Sequence, residues 1–93
     1  MSLKLFDLTG RRALVTGSSQ GIGFALARGL AQAGAMPVLN GRDPARLDAA
    51  AEALRAEGFA VETLPFDVTD HAAARAAVDG FEARVGPIDI LIS

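Results

Sequence analysis

The sequence contains no cysteine, tryptophan or tyrosine, and these absences exclude several kinds of site. Without cysteine there is no disulfide framework, no thiolate metal site and no thiol nucleophile. Only 5% of the 93 residues are aromatic although 51% are hydrophobic, so aliphatic side chains make up most of the apolar mass. Small aliphatic side chains suit helices that pack closely against a buried parallel sheet.

High net charge and long apolar runs are also absent. The formal net charge is −2, which favours neither a nucleic-acid surface nor a polybasic membrane contact. No segment reaches the roughly 20 apolar residues of a membrane span, and Met1 to Asp7 contain no signal-like apolar run. We therefore expect a cytoplasmic protein that binds no metal, nucleic acid or membrane.

Apolar runs alternate with helical patterns, which predicts a parallel sheet with crossover helices. Asp43 is predicted to cap the second helix, and Pro65 is tolerated in the third strand only if that strand lies at an edge of the sheet. The predicted strands are 13–16, 36–40, 59–66 and 89 onward; the predicted helices are 22–33, 44–57 and one from a cap at Thr69 or Asp70 to Val85.

This order predicts an α/β fold, the N-terminal β-α-β-α-β-α-β portion of a Rossmann-type doubly wound parallel sheet. Residues 1–93 would form one part of a single nucleotide-binding domain, with no internal linker. The fourth predicted strand is apolar and would lie at the centre of the complete sheet, yet the sequence stops within it at Ser93. We therefore expect that the C-terminal part of the domain is missing from this sequence.

A glycine-rich stretch, TGSSQGIG from Thr16 to Gly23, follows a predicted strand and opens a predicted helix. That is the context a dinucleotide fingerprint requires. Gly17 allows a sharp turn, Gly21 allows the backbone to approach a pyrophosphate, and Gly23 allows the helix to pack closely on the strand. The alternative is that this stretch is a turn with a packing role only, which binds no ligand.

Further groups in this stretch are candidates for contact with phosphates. The start of the predicted helix, at Ile22, presents free N–H groups and a partial positive charge. Ser18, Ser19 and Gln20 can add side-chain donors. The spacing Gly-x-x-x-Gly-x-Gly differs from Gly-x-Gly-x-x-Gly, and no Gly-Lys-Ser/Thr follows, so a P-loop is excluded.

The end of the second predicted strand distinguishes NAD from NADP. An acidic residue there accepts hydrogen bonds from the ribose 2′-hydroxyl and repels a 2′-phosphate. This chain has Asn40-Gly41-Arg42 instead, and a guanidinium can hold a phosphate with two parallel hydrogen bonds. The alternative is that Arg42 is a solvated loop residue or pairs with Asp43. We predict an NADP(H) site that includes Asn40 and Arg42.

The glycine stretch, Asp67-Val68 after the third strand and the final DILIS resemble the signature of the short-chain dehydrogenase/reductase family. The resemblance covers essentially the whole chain. It implies that Asp67 contacts the adenine and that the next backbone groups, at Val68, help to hold it. The alternative for Asp67 is a cap for the helix that follows.

The same resemblance implies hydride transfer assisted by a tyrosine, a lysine four residues later and a serine. This chain has no tyrosine, and its single lysine is Lys4, so it carries no catalytic residue and would at most bind nucleotide. His71, the single histidine, is interpreted as a solvated residue at a helix start. The resemblance also implies that the full-length parent enzyme is a homo-oligomer, and a tetramer in particular, since relatives of this kind are usually tetramers.

Within the family, residues 5–17 and Asn40-Gly41-Arg42 are similar to gluconate 5-dehydrogenases, which interconvert gluconate and 5-ketogluconate with NADP(H). The 3-oxoacyl-carrier-protein reductases have a similar N-terminal half and are the alternative. A non-catalytic protein that binds NADP is a third possibility.

Overall fold

The computed structural model describes residues 7–93. Lys4 lies outside this range, as do residues 5 and 6 of the segment 5–17 on which part of the resemblance rests. Strands and helices alternate through the described residues, as the sequence predicts. The elements are β1 (Arg12–Val15), α1 (Gly21–Gln32), β2 (Met36–Leu39), α2 (Pro44–Ala56), β3 (Glu62–Thr63), α3 (His71–Arg84) and β4 (Ile90–Ile92).

The four strands form one parallel sheet in the order β3-β2-β1-β4. Val15 of β1 lies beside Leu39 of β2 and Ile92 of β4, and Leu39 lies beside Thr63 of β3. The carboxyl ends of all four strands therefore meet at one edge of the sheet. The predicted α/β, Rossmann-type fold class is confirmed.

Helices cover both faces of the sheet, which makes it doubly wound. On one face, Val15 and Leu39 pack with α1 and α2 in a buried cluster that includes Ala27 and Leu54. On the other face, Leu14, Val38 and Leu64 pack against Phe81 of α3; these four residues are also buried. Adjacent strand residues thus point to opposite faces, and both faces are apolar because both are covered.

β3 is much shorter than the predicted strand 59–66, although its predicted position at an edge of the sheet is correct. Pro37 of β2 has no N–H, and pairing with β3 begins only at the next residue, Val38. At the other end, the side-chain amide of Asn40 donates to the carbonyl oxygens of Leu64 and Phe66, both at 3.1 Å. The side chain of Asn40 thus takes the place of backbone pairing at 64–66, where the sequence predicts that the third strand continues.

The other predicted boundaries agree with the structure to within one or two residues. The structure also shows which of Thr69 and Asp70 caps the third helix. Asp43 caps α2, since its Oδ1 accepts hydrogen bonds from the N–H groups of Ala45 and Arg46. α3 is capped by Asp70, which accepts from Ala73 N–H, and not by Thr69.

β4 pairs with β1 on one side, and no further strand lies beyond it within residues 7–93. Leu91 in its middle is 65% exposed. No helix in the described residues has the length and apolar character that a bilayer crossing requires.

Candidate cofactor-binding site

The residues predicted to bind a cofactor lie on three neighbouring connections at the carboxyl edge of the sheet. The glycine loop follows β1, Asn40-Gly41-Arg42 follows β2, and Asp67-Val68 lies beyond β3. In open α/β sheets, ligands bind in the crevice outside the carboxyl ends of the strands. The fold therefore brings Gly17 and Asp67 to the same edge of the sheet, although they are 50 residues apart in the sequence.

The glycine loop turns where the sequence predicts and packs tightly on the start of α1. Gly17 and Gly21 have φ angles of 61° and 64°, which favour glycine strongly, and a Cβ on either would meet open space. A Cβ on Gly23 would lie 3.0 Å from the carbonyl carbon of Gly17 and from Cα of Ser18, and closer still to Gly17 O. Gly17 and Gly21 thus leave an open cradle, whereas Gly23 allows α1 to touch the loop.

The start of α1 differs from the starts of the other two helices. Asp43 and Asp70 cap α2 and α3, but the side chain of Gln20 makes no capping hydrogen bond to α1. The first turn of α1 contains no acidic residue, and its Ile22 is 82% exposed. Free N–H groups and the positive end of the helix dipole make this terminus suitable for an anion such as a phosphate.

Ser18 and Asn40 join β1 to β2 inside the protein. The buried Ser18 hydroxyl donates to Val15 O at 2.6 Å and accepts from Asn40 N–H at 2.9 Å. Ser18 is therefore not available as a phosphate donor, and that expectation was wrong. Ser18 is buried and its hydroxyl is engaged by two backbone groups, one in β1 and one directly after β2, contacts that a sequence alone does not reveal.

Asn40 is almost completely buried, and its side chain is fully engaged within the protein. Besides its two bonds to the β3–α3 connection, its Oδ1 accepts from Gly17 N–H at 3.1 Å. The amide thus holds the glycine loop and the β3–α3 connection in one position. Asn40 therefore lies at the predicted site, but its side chain supports the glycine loop through the bond to Gly17.

Ser19 and Gly41 are in close contact across the site. A Cβ on Gly41 would lie 3.2 Å from Ser19 Oγ and 3.4 Å from Ser19 Cβ. An acidic side chain at position 41 would press on the Ser19 hydroxyl. The place where an NAD-specific protein carries a carboxylate is thus occupied here by a serine hydroxyl and a bare glycine backbone.

Arg42 is exposed beside this glycine and forms an ion pair that the sequence analysis missed. Its Nη1 lies 3.6 Å from Oδ2 of Asp67, whereas Asp43 caps α2 and lies 3.8 Å from Nε of Arg46. Asp43 therefore does not take the charge of Arg42. The signal for the pair was the parallel order of β2 and β3, which places the residues that follow them side by side.

Asp67 is oriented by Thr69. Oδ1 of Asp67 accepts from the N–H of Thr69 at 2.9 Å and from its hydroxyl at 2.7 Å. These bonds lower the pKa of Asp67 below its usual value, and the charge of Arg42 adds to the shift. The carboxylate is thus ionised and keeps Oδ2 towards Arg42. Val68 next to it is about half exposed.

Gln20 lies at a cleft between the glycine loop and α2. Its Oε1 accepts from Nη1 of Arg46 at 3.2 Å, so Arg46 joins the start of α2 to the loop. The cleft has a volume of about 390 Å³, and its lining residues are Ser19, Gln20, Phe24, Arg46, Ala49, Ala50 and Ala53. Nothing in the sequence alone indicates this contact between Arg46 and Gln20.

His71 lies at the other face of the sheet, at the first position of α3, and is exposed as predicted. Together with Val68 it borders an open groove of about 510 Å³ between α3 and β4, called the α3 groove below. Apolar side chains dominate the groove: Leu14, Phe66, Ala74, Val78, Ile88 and Leu91.

A parallel doubly wound sheet, a glycine loop after its first strand and an uncapped helix start facing the carboxyl edge together define a dinucleotide-binding protein of the Rossmann class. The family follows from comparison with known proteins. Residues 11–93 match the family model described as short chain dehydrogenase. The chain belongs to the short-chain dehydrogenase family.

Several relatives resemble the chain closely. Gluconate 5-dehydrogenase of Gluconobacter oxydans is 54% identical over 89 residues, which are 96% of this chain and 35% of the relative. The 5-keto-D-gluconate 5-reductase of Escherichia coli K12 is 44% identical over the same shares. The crystal structure of a gluconate 5-dehydrogenase from Burkholderia cenocepacia in complex with NADP and tartrate superposes with a TM-score of 0.88 at 58% identity, covering 92% of this chain and 34% of that one.

The chain thus spans about a third of the length of these relatives. The resemblance to gluconate 5-dehydrogenases is confirmed as a similarity of sequence and fold.

Proposed function

We propose that the protein containing this chain is an NADP-dependent short-chain dehydrogenase/reductase. It would transfer hydride between NADP(H) and the carbonyl or alcohol carbon of a sugar acid such as 5-ketogluconate or gluconate. The observation that carries the proposal is the site after β2. A bare Gly41 and an exposed Arg42 lie beside the glycine loop, where an acidic residue would mark an NAD site.

Each predicted site residue has a place in this proposal. The N–H groups at Gly21 and Ile22 would bind the pyrophosphate, with Gly17 shaping the turn. Ser19 and Arg42 would contact the 2′-phosphate. The remaining members act at the margins of the site: Gln20 beside the loop, Asn40 beneath it, and Asp67 with Val68 around the adenine.

The nicotinamide supplies the hydride when the cofactor is bound; the residues described here would bind and orient the nucleotide. Proton transfer to the substrate would need groups from a part of the domain outside this sequence, since the sequence has no tyrosine. The enzyme activity is therefore proposed for the full-length protein. The 93 residues alone are proposed to bind nucleotide only.

The cofactor assignment predicts the effect of Arg42→Ala. Loss of a charge-assisted contact to phosphate, worth about 1.5–3 kcal/mol, would raise the dissociation constant for NADPH about 10- to 100-fold. The constant for NADH would change little because NADH has no 2′-phosphate. Fluorescence titration of the full-length protein with both nucleotides measures this, and Arg55→Ala at the far end of α2 is the matched control. Equal losses for NADPH and NADH would contradict the assignment.

The substrate class rests on the similarity to gluconate 5-dehydrogenases and a 5-ketogluconate reductase. NADPH oxidation by the full-length protein with 5-ketogluconate tests it. Turnover with a 3-oxoacyl thioester instead would favour the alternative, a 3-oxoacyl-carrier-protein reductase. Nucleotide binding without turnover on either substrate would favour a non-catalytic NADP-binding protein.

Assembly and location complete the proposal. By resemblance to the family, the full-length protein is proposed to be a homo-tetramer, and its cysteine-free sequence suits the cytoplasm. Light scattering of the purified protein and fractionation of cells test these two statements.

A further inference from the structure

We propose that Asp67 positions Arg42 for the 2′-phosphate of the cofactor, and so contributes to the preference for NADP over NAD without touching the phosphate. This inference rests on the proposed NADP site. It assigns Asp67 a role in cofactor choice in addition to a contact with adenine.

The first observation behind the proposal is the exposure of Arg42, which leaves its side chain free to move. The side chain of Arg42 is 77% exposed, and a free guanidinium on a loop samples many rotamers. Its ion-pair partner among residues 7–93 is Asp67, at 3.6 Å. Holding one end of the guanidinium against Asp67 reduces the number of positions that the other N–H groups sample. Because the guanidinium has five N–H donors in a planar fork, one Nη can face Asp67 while others face a phosphate.

Asp67 is itself held, which distinguishes it from an ordinary surface carboxylate. Both hydrogen bonds from Thr69 end on Oδ1, so the carboxylate is fixed in orientation and its Oδ2 remains for Arg42. The register Leu39 beside Thr63 aligns the strands from which the two connections leave. The pair therefore has a rigid acceptor and a mobile donor, as a positioning contact requires.

The opposite effect is the competing physical possibility. A carboxylate near a phosphate repels it, and if repulsion dominated, Asp67 would weaken NADP binding. Both side chains are open to water, which screens the longer carboxylate–phosphate interaction more than the direct pair. An exposed pair of this kind is weak, so we expect an effect of about two- to fivefold on cofactor preference.

The test is a double-mutant cycle on the full-length protein, with Asp67→Asn, Arg42→Gln and the double variant. Calorimetric dissociation constants for NADP⁺ and NAD⁺ give a preference ratio, and any effect of Asp67 on adenine cancels in that ratio. We expect Asp67→Asn to lower the preference for NADP⁺ about two- to fivefold, Asp67→Glu to restore part of it, and Asp67→Asn to leave the ratio unchanged when Arg42 is already Gln. Asp70→Asn, which keeps an N-cap side chain, is the control and should not change the ratio.

Two results would overturn the proposal: an unchanged or increased NADP⁺ preference in Asp67→Asn, or the same decrease in the presence and absence of Arg42. The failure of the proposed cofactor would look different. In that case Arg42→Gln itself would leave the ratio unchanged.

Discussion

At the scale of single residues, Asn40 illustrates how one side chain can join three segments. Its amide contacts Gly17 and two carbonyl oxygens beyond β3, and it is almost completely inaccessible to water. Asparagine suits this place because it offers an acceptor and two donors at one end. The sequence indicated the position through its place after β2, but gave no sign that the amide points inward.

We predict that Asn40→Ala destabilises the protein through the partners it leaves unpaired. Each buried backbone group that loses its hydrogen bond costs about 1–3 kcal/mol. The free energy of unfolding should therefore fall by several kcal/mol, and nucleotide binding should weaken because the glycine loop is released. Urea denaturation followed by circular dichroism measures the change. Gln32→Ala, at the exposed end of α1, should have little effect; a similar loss there would contradict this explanation.

The Asp67–Thr69 turn predicts a dependence of stability on pH. The hydrogen bonds from Thr69 make the pKa of Asp67 lower in the folded protein than in the unfolded chain. An aspartate in an unfolded chain titrates at about 3.9. The stabilisation from these bonds is therefore complete above that unfolded value and is lost as the pH falls through the lower, folded pKa. Asp67→Asn should lower the melting temperature at pH 7, and the difference from wild type should shrink below about pH 4.

Thr69→Ala provides the complementary measurement. It removes the hydroxyl donor and should raise the Asp67 pKa towards its usual value in an NMR titration of the carboxyl carbon. A pKa that does not rise would show that the hydroxyl does not contribute.

At the scale of secondary-structure elements, the position of α1 relative to the glycine loop depends on one missing side chain. Gly23 touches the loop, whereas Gly29 in the same helix has open space where a Cβ would stand. The two glycines form a matched pair in which the same substitution has opposite expected effects. The difference arises from tertiary contact, since both lie within α1.

Gly23→Ala should push α1 away from the loop, reduce stability and abolish tight nucleotide binding. Gly29→Ala should stabilise the protein by about 0.5–1 kcal/mol, because alanine is the better helix former. Thermal unfolding with and without NADP⁺ measures both effects. A stable Gly23→Ala protein that retains full affinity would contradict the packing seen here.

At the scale of the whole molecule, one sheet edge and the groove beside it remain open within residues 7–93. β4 has a strand partner on one side only, and Leu91 together with the α3 groove presents an apolar surface. Exposed apolar edge strands promote association between chains. Within residues 7–93, the free edge of β4 is therefore open to pairing with another strand, and the apolar groove beside it is open to contact with another chain.

We predict that the 93 residues, expressed alone, associate in a concentration-dependent way through this edge. Leu91→Lys should reduce the association because it places a charge on the exposed strand. Sedimentation velocity at several concentrations measures the effect, and Ala49→Lys, at an exposed position of α2, is the control. A monomer at all concentrations would contradict the prediction.

The sequence by itself determined the alternation of elements, the glycine loop, the helix cap at Asp43 and the family. These features depend on local preferences: glycine for positive φ, aspartate for free N–H groups at a helix start, and aliphatic runs for buried strands. Only the tertiary structure decided the roles that depend on distant neighbours: the inward amide of Asn40, the buried hydroxyl of Ser18 and the pairing of Arg42 with Asp67. The physical reason is that these contacts are set by the parallel order and register of the strands, which bring together residues that are far apart along the chain.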